Sequence, residues 1–127
     1  MYNFEKLIVW QKAMDLCELV YKESKNIPKE ELFGLTSQLR RAVTSIPLNI
    51  SEGTAAGTKR EFKRFLNIAL CSQYETATII RLCLRFKYLD NKSYDTINGS
   101  LEEVGKLLHG LIRSLQQSQS DKLTTDN

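Results

Sequence analysis

The sequence predicts an all-α protein that folds as an up-down-up-down antiparallel four-helix bundle. Apolar residues recur at helical spacing in four segments, and no segment alternates as a strand would. Breakers are few, with two prolines and six glycines in 127 residues. The links are short, which places consecutive helices antiparallel. We expect a bundle domain over residues 1–118 and a polar, flexible C-terminal tail over residues 119–127.

The first helix is predicted over residues 5–25, where apolar residues repeat at helical spacing. It ends ahead of Pro28, because proline disfavours the helical conformation in the residue before it. A proline at a first helical position, followed by acids near the N-terminal dipole, predicts one isolated turn over residues 28–31. The apolar stripe of the first helix is Val9, Ala13, Leu16 and Val20.

The second helix is predicted over residues 36–54, and we expect a kink because Pro47 lies inside its apolar stripe. Proline removes one backbone hydrogen bond, and its ring clashes with the carbonyl group of Val43. The alternative is a pair of helices that meet at Ile46.

The third helix has a clear start signal. Gly53 and Gly57 are predicted to mark the turn before it. Thr58 and Glu61 then have the spacing of a capping box. No proline or glycine interrupts the chain from there to about residue 88, so the helix is predicted to continue to that point.

This third helix has more apolar residues than one stripe requires. A helix of this kind is either central in its domain or pressed against another chain. Because no helix is central in a four-helix bundle, we expect the protein to self-associate. The apolar residues are Phe62, Phe65, Leu66, Ile68, Ala69, Leu70, Tyr74, Ala77, Ile79, Ile80, Leu82, Leu84 and Phe86.

The fourth helix is predicted over residues 92–117, after Asp90 and Asn91 break the third. Gly105 and Gly110 lower its intrinsic helicity, so packing must hold it. Its core stripe is Ile97, Leu101, Val104, Leu108, Leu111, Ile112 and Leu115.

No catalytic, metal-binding or cofactor-binding pattern occurs, so we expect no enzyme, no metal and no cofactor. His109 is the only histidine, and Lys106 stands where a di-iron bundle needs glutamate. Glu52 and Glu75 could act as an acid–base pair, but the favoured interpretation is that each pairs with an arginine across helices. Three cysteines, an odd number, argue against a disulfide framework and predict buried thiols in a reducing cytoplasm.

Positive charge is concentrated in the middle of the chain. The formal net charge is +3, but residues 36–64 alone have six basic and two acidic residues, net +4. Clustered cations of this kind can bind phosphates, although such runs are often only solvated surfaces. The candidate nucleic-acid contacts are Arg40, Arg41, Lys59, Arg60, Lys63 and Arg64.

The order of residues resembles a known family. The most specific motif is Ile-Pro-x-Asn-Ile-x-Glu-Gly over residues 46–53, followed by Arg-Phe-Leu over residues 64–66. Leu-Thr-Ser-Gln-Leu-Arg-Arg-Ala precedes it over residues 35–42, and Val-Trp-Gln-Lys-Ala stands at residues 9–13. The pattern closely resembles the bacterial four-helix bundle proteins called 23S rRNA intervening-sequence proteins, over about residues 4–115.

The resemblance implies a cytoplasmic four-helix bundle that assembles into a ring, expected to be a pentamer. Binding of RNA or DNA is suspected in the family, whose biochemical role is poorly defined. The sequence is also similar to accessory proteins of diversity-generating retroelements, which are basic pentamers that bind a reverse transcriptase and its RNA. Neither resemblance supplies a catalytic residue.

We therefore expect a non-enzymatic, oligomeric nucleic-acid-binding protein that contacts structured RNA through phosphates, with RNA favoured over DNA. The alternative is an oligomeric adaptor that docks a partner enzyme such as a reverse transcriptase. No membrane segment is predicted, because no run of about 18 apolar residues occurs.

Overall fold

The computed structural model describes the backbone of residues 1–125 and the side chains of residues 1–117. No strand occurs over residues 1–125. Short 3-10 turns at Asn3–Lys6, Ser24–Asn26 and Lys29–Glu31 precede or join the first helices. The four α-helices are α1 at Ile8–Glu23, α2 at Leu35–Ala55, α3 at Lys59–Arg85 and α4 at Asn91–Thr125. The predicted all-α four-helix bundle is confirmed.

The helices pack in a closed cycle, in which α1 contacts α2 and α4, and α3 contacts α2 and α4. Two contacts define the α1–α4 register. Ser93 Oγ donates to Glu23 Oε2 at 2.8 Å, and Lys12 Nζ lies 3.6 Å from Glu103 Oε1. The residue number falls by 11 on α1 while it rises by 10 on α4, so these two helices run antiparallel.

Helices α2 and α3 are in close contact along their length. The hydroxyls of Ser45 and Ser72 share a hydrogen bond of 2.8 Å. Closer to the connecting loop, a Cβ added at Gly53 would lie only 2.8 Å from Cδ1 of Phe62. Gly53 is therefore a buried packing residue inside α2, and the prediction that it marks the turn is wrong. Gly57 does lie in the turn, with a φ of 85° that favours glycine.

Helix α2 continues through Pro47 as one helix, so the alternative of two helices meeting at Ile46 is wrong. Proline has no N–H for the carbonyl group of Val43, four residues earlier. The thiol of Cys17 on α1 donates to this carbonyl oxygen at 3.3 Å. The hydrogen bond that proline removes from α2 is thus replaced from the neighbouring helix. The kink at Pro47 stays a prediction.

Different interactions determine where α3 begins and where it ends. At the start, Thr58 Oγ1 accepts the Glu61 N–H at 3.1 Å, which confirms the predicted cap. At the other end, α3 stops at Arg85, three residues before the predicted end. Lys87 adopts a left-handed conformation with φ 63°, and the Tyr88 N–H returns to the Cys83 carbonyl at 2.8 Å. This turn closes the helix without a glycine.

Helix α4 begins after Asp90, whose Oδ1 accepts the Ser93 N–H at 2.7 Å. That hydrogen bond is the main reason why the pKa of the Asp90 carboxyl is lowered. The backbone of α4 is helical to Thr125, beyond the predicted end at residue 117. The predicted flexible tail over residues 119–127 falls where side chains lie outside the described residues, and it stays a prediction.

The core contains the apolar stripes that the sequence predicts. It is a single cluster to which all four helices contribute. The largest fully buried side chains are Leu16, Val20, Leu39, Val43, Ile46, Ile50, Leu66, Ile80, Ile97, Leu101, Val104 and Leu108.

The apolar residues of α3 fall into a buried set and an exposed set. Most of its apolar residues are buried or half-buried in the bundle. Four others are exposed: Ile68, Tyr74 and Leu82 within α3, and Phe86 directly after it. Leu48 on the adjacent α2 is also exposed, at 58%. We call these five residues the outer apolar face.

Candidate nucleic-acid interface

The first two turns of α3 carry a group of four cations, Lys59, Arg60, Lys63 and Arg64, which we call the α3 cluster. The Thr58 cap fixes where the helix begins and so fixes the placement of these side chains. Residues four apart share a side of a helix, so Lys59 and Lys63 lie on one side of α3, and Arg60 and Arg64 lie together on the adjacent side. Lys63 is half-buried and the other three are exposed.

One carboxylate lies within the α3 cluster. Arg64 Nε donates to Glu61 Oε2 at 3.0 Å, and the Arg64 guanidinium lies 4.5 Å from the centroid of the Phe65 ring. An exposed pair of this kind contributes little to stability and is screened by salt. The N-terminal end of the helix dipole adds further positive potential. The cluster therefore keeps a net positive potential despite Glu61.

The two arginines of α2 have different environments. Arg40 is half-buried; its Nε donates to Ser24 Oγ at 3.0 Å, and its guanidinium lies 4.8 Å from the centroid of the Tyr21 ring. These contacts hold the end of α1 against α2, so Arg40 has a structural role that the sequence did not indicate. Arg41 is exposed.

A polar groove of about 340 Å³ lies between α2 and α3 beside Arg41. Glu75 lines its opposite side. Over residues 1–117, neither Glu52 nor Glu75 forms an ion pair within 4.0 Å. The predicted pairing of these two acids with arginines across helices is therefore wrong.

The structure does not bring the six candidate cations together. The shared groove places Arg41 at the level of Glu75. Glu75 is 11 residues along α3 from Arg64, which corresponds to about 17 Å at a rise of 1.5 Å per residue. Arg41 and the α3 cluster are thus two separate basic sites near opposite ends of the bundle.

Sequence similarity now places this architecture in a family. A family model described as 23S rRNA-intervening sequence protein matches residues 5–110. The chain belongs to this family. The match confirms the resemblance that the sequence motifs indicated, and the six candidate cations of this 23S rRNA-intervening sequence protein all lie within it.

A solved structure supports the same assignment. It is a crystal structure at 1.70 Å resolution of a protein of unknown function from the S23 ribosomal protein family, from Bacteroides thetaiotaomicron VPI-5482. The two proteins are 31% identical, with a TM-score of 0.78 over 84% of this chain and 96% of that chain. The comparison with curated proteins found no match to this chain.

The remaining reactive groups of this 23S rRNA-intervening sequence protein are dispersed. Its three cysteines are free, and burial raises the pKa of the Cys17 and Cys83 thiols to about 11, whereas Cys71 is exposed. Within the part of the chain that is described, no three His, Cys, Asp or Glu side chains form a group that could hold a metal. His109 is exposed on α4.

Sequence reasoning missed two features near these sites. Phe33 is 94% exposed in the loop before α2, next to the partly exposed Leu32. The sequence did contain a signal for this residue, because Leu32 and Phe33 are adjacent large apolar residues that belong to none of the predicted helical stripes. Gln73, by contrast, is a buried polar residue in α3, and its Oε1 has no hydrogen-bond partner among the described residues. None of the described helices is long and apolar enough to cross a membrane.

Proposed function

We propose that this protein is a non-enzymatic, oligomeric, cytoplasmic nucleic-acid-binding protein that contacts structured RNA through phosphates. The observation that carries the proposal is the α3 cluster, in which four cations stand within six residues at a helix N-terminus. Clustered lysines and arginines neutralise phosphates and release condensed counterions. The family names of the match and of the solved structure, which mention 23S rRNA and ribosomal protein, point to the same class of ligand.

The α3 cluster supports phosphate binding more than base reading. The cations extend from an exposed helix end, and phosphate contacts of this kind set affinity without carrying sequence information. We therefore expect weak sequence preference. In an oligomer, a ring would repeat the cluster and the Arg41 site around its axis, so that one long RNA contacts several copies at once.

The proposal is tested by replacing Lys59, Arg60, Lys63 and Arg64 together with glutamine. Binding to a structured RNA is measured by fluorescence anisotropy over a series of salt concentrations. We expect weaker binding to every RNA sequence and a slope of log affinity against log salt that is flatter by up to about 3, from the loss of up to four phosphate contacts.

The matched control replaces four exposed lysines elsewhere with glutamine: Lys25, Lys29, Lys87 and Lys92. It changes the net charge equally, so we expect a much smaller effect on affinity and slope. If the α3 variant binds RNA like the parent, with the same slope, then the cluster is only a solvated surface and the proposal fails.

The second candidate function is an oligomeric adaptor that docks a partner enzyme such as a reverse transcriptase. The outer apolar face favours it, because exposed aromatic and aliphatic side chains are the usual anchors of protein interfaces. Apolar docking is insensitive to salt, whereas phosphate binding weakens steeply as salt rises. The salt series therefore distinguishes the two functions.

A further inference from the structure

A second groove, of about 380 Å³, lies on the other side of Arg41, between the end of α1 and the first turns of α2. The loop before α2 closes one end of it through Leu32 and Phe33. Its volume lies within the range of small-molecule sites. Arg40 and Arg41 line it, and none of its lining residues is acidic.

Phe33 is the unusual residue of this groove. Its side chain is 94% exposed, so packing within the bundle does not account for it. The loop that carries it is nevertheless fixed by hydrogen bonds. The Gly34 N–H donates to the Glu31 carbonyl at 2.9 Å, and the Leu35 N–H donates to Glu31 Oε2 at 3.1 Å. The backbone thus holds an aromatic ring in solvent at the mouth of a basic groove.

The loop is also attached to the rest of the bundle. Tyr88 Oη donates to Glu31 Oε1 at 3.3 Å, which joins the loop to the end of α3. This contact and the Leu35 N–H together occupy both carboxylate oxygens of Glu31. The acid next to the groove therefore serves to fix the loop.

We propose that this groove binds an unpaired nucleotide of RNA, with the base stacked on Phe33 and the phosphate held by Arg41. The inference rests on the proposed function and deepens it by naming the kind of RNA. Aromatic side chains beside arginines are the usual means by which proteins hold single-stranded RNA, since every base has a face that can stack. The Ser37 hydroxyl, also on the groove, supplies a polar partner for the sugar or base.

The alternative occupant is a protein, in particular a second copy of this chain. It would have to bring a carboxylate of its own to the arginines, because the groove contains no acid and removing unpaired arginines from water is costly. A phosphate group of RNA carries the negative charge that pairs with the arginines. Charge complementarity therefore favours RNA.

The test compares Phe33→Ala with the parent in binding two probes, a single-stranded oligouridylate and a blunt RNA duplex with the same number of phosphates. We expect the affinity for the single strand to fall about ten-fold and the affinity for the duplex to stay unchanged, because only unpaired bases can stack on the ring. The slope against log salt should not change, since no cation is removed.

Two further variants sharpen the comparison. Tyr74→Ala removes another exposed aromatic side chain, 60% exposed on α3, and should leave both affinities unchanged. Phe33→Trp should keep the single-strand affinity and add a tryptophan fluorescence signal that the oligouridylate quenches. That quenching reports stacking directly.

Each outcome decides the inference. Equal losses for single strand and duplex, or no loss for either, would overturn it while leaving the proposed function in place. A lower oligomer mass for Phe33→Ala with unchanged RNA binding would show that the ring contacts a second copy, which also overturns it. If the parent protein binds neither probe, the proposed function fails, and this inference fails with it.

Discussion

Gln73 and Gly105 form a close contact in the core between α3 and α4. Gln73 is 8% exposed, and its Nε2 donates to the Leu101 carbonyl at 3.1 Å. A Cβ added at Gly105 would lie 2.8 Å from that nitrogen. The sequence indicated only that Gly105 weakens the fourth helix. The structure shows that the glycine makes room for a buried amide.

We expect Gly105→Ala to lower the free energy of unfolding by about 1 kcal/mol. Displacing Gln73 from its buried hydrogen bond costs about 1–3 kcal/mol. The gain in helix propensity returns about 1 kcal/mol. Urea denaturation followed by circular dichroism measures the difference.

Gly99→Ala is the matched control for this prediction. Gly99 lies on the same helix, and a Cβ there meets no atom within 4 Å. Because no buried contact is disturbed, only the gain in helix propensity remains, and this variant should raise the free energy of unfolding by up to about 1 kcal/mol. Similar gains in both variants would show that Gln73 moves aside without cost.

Single residues also show where sequence reasoning stops. Arg40 and Arg41 are adjacent and chemically identical, so no local pattern tells them apart. Their difference arises from tertiary packing, because Ser24 accepts a hydrogen bond from Arg40 and the Tyr21 ring lies against the Arg40 guanidinium. Gly53 was misassigned for the same reason, since its close neighbour Phe62 belongs to another helix.

At the scale of elements, starts were easier to predict than ends. The Thr58 cap is a local interaction across three residues, so the sequence contains the whole signal. The end of α3 depends on Lys87 in a left-handed conformation, which is uncommon for residues other than glycine. A lysine gives no sequence signal for that turn, so the predicted helix ran three residues too far.

Helix α2 tolerates Pro47 through a partner on α1. We expect Pro47→Ala to keep the fold and assembly, with a free energy of unfolding lowered by no more than about 1 kcal/mol. The variant regains the N–H that proline lacks but loses part of a buried ring. Thermal unfolding and light scattering check it, and a variant that does not fold or assemble would show that the proline geometry shapes the bundle.

A double-mutant cycle tests the hydrogen bond from Cys17 to the Val43 carbonyl. Burial raises the pKa of this thiol to about 11, so it remains a protonated donor at neutral pH. Cys17→Ala should lower the free energy of unfolding by about 0.5–1 kcal/mol less in the Pro47→Ala background than in the parent. In that background the backbone N–H of residue 47 can donate to the Val43 carbonyl in place of the thiol. Equal costs in both backgrounds would show that the thiol makes no useful bond.

For the whole molecule, the sequence predicted the fold class and the core, because both follow from periodic apolar spacing. The separation of Arg40 and Arg41 from the α3 cluster also follows from sequence position, since position along neighbouring helices sets axial distance. It missed Phe33, whose significance lies in its exposure and in its position beside Arg41. Neither property can be read from spacing, because both require the tertiary arrangement of the loop and α2.

The outer apolar face leads to the last prediction, which concerns self-association. Tyr74 is 60% exposed, Ile68 and Leu82 are also exposed on α3, and Leu48 is exposed on α2. Exposed large apolar side chains grouped on two neighbouring helices are typical of protein interfaces. We therefore expect a stable oligomer at micromolar concentration, whose mass is a multiple of 14.6 kDa and, as the family resemblance implies, five times that value.

The decisive comparison introduces charge at two positions of the outer apolar face. Ile68→Glu combined with Leu82→Glu should shift the mass measured by light scattering toward 14.6 kDa, because the interface would bury unpaired carboxylates. Ile8→Glu with Met14→Glu changes two exposed apolar residues of α1 and should leave the mass unchanged. A mass of 14.6 kDa for the parent protein would contradict self-association. If only the α1 variant dissociates, the interface lies on α1 and not on the outer apolar face.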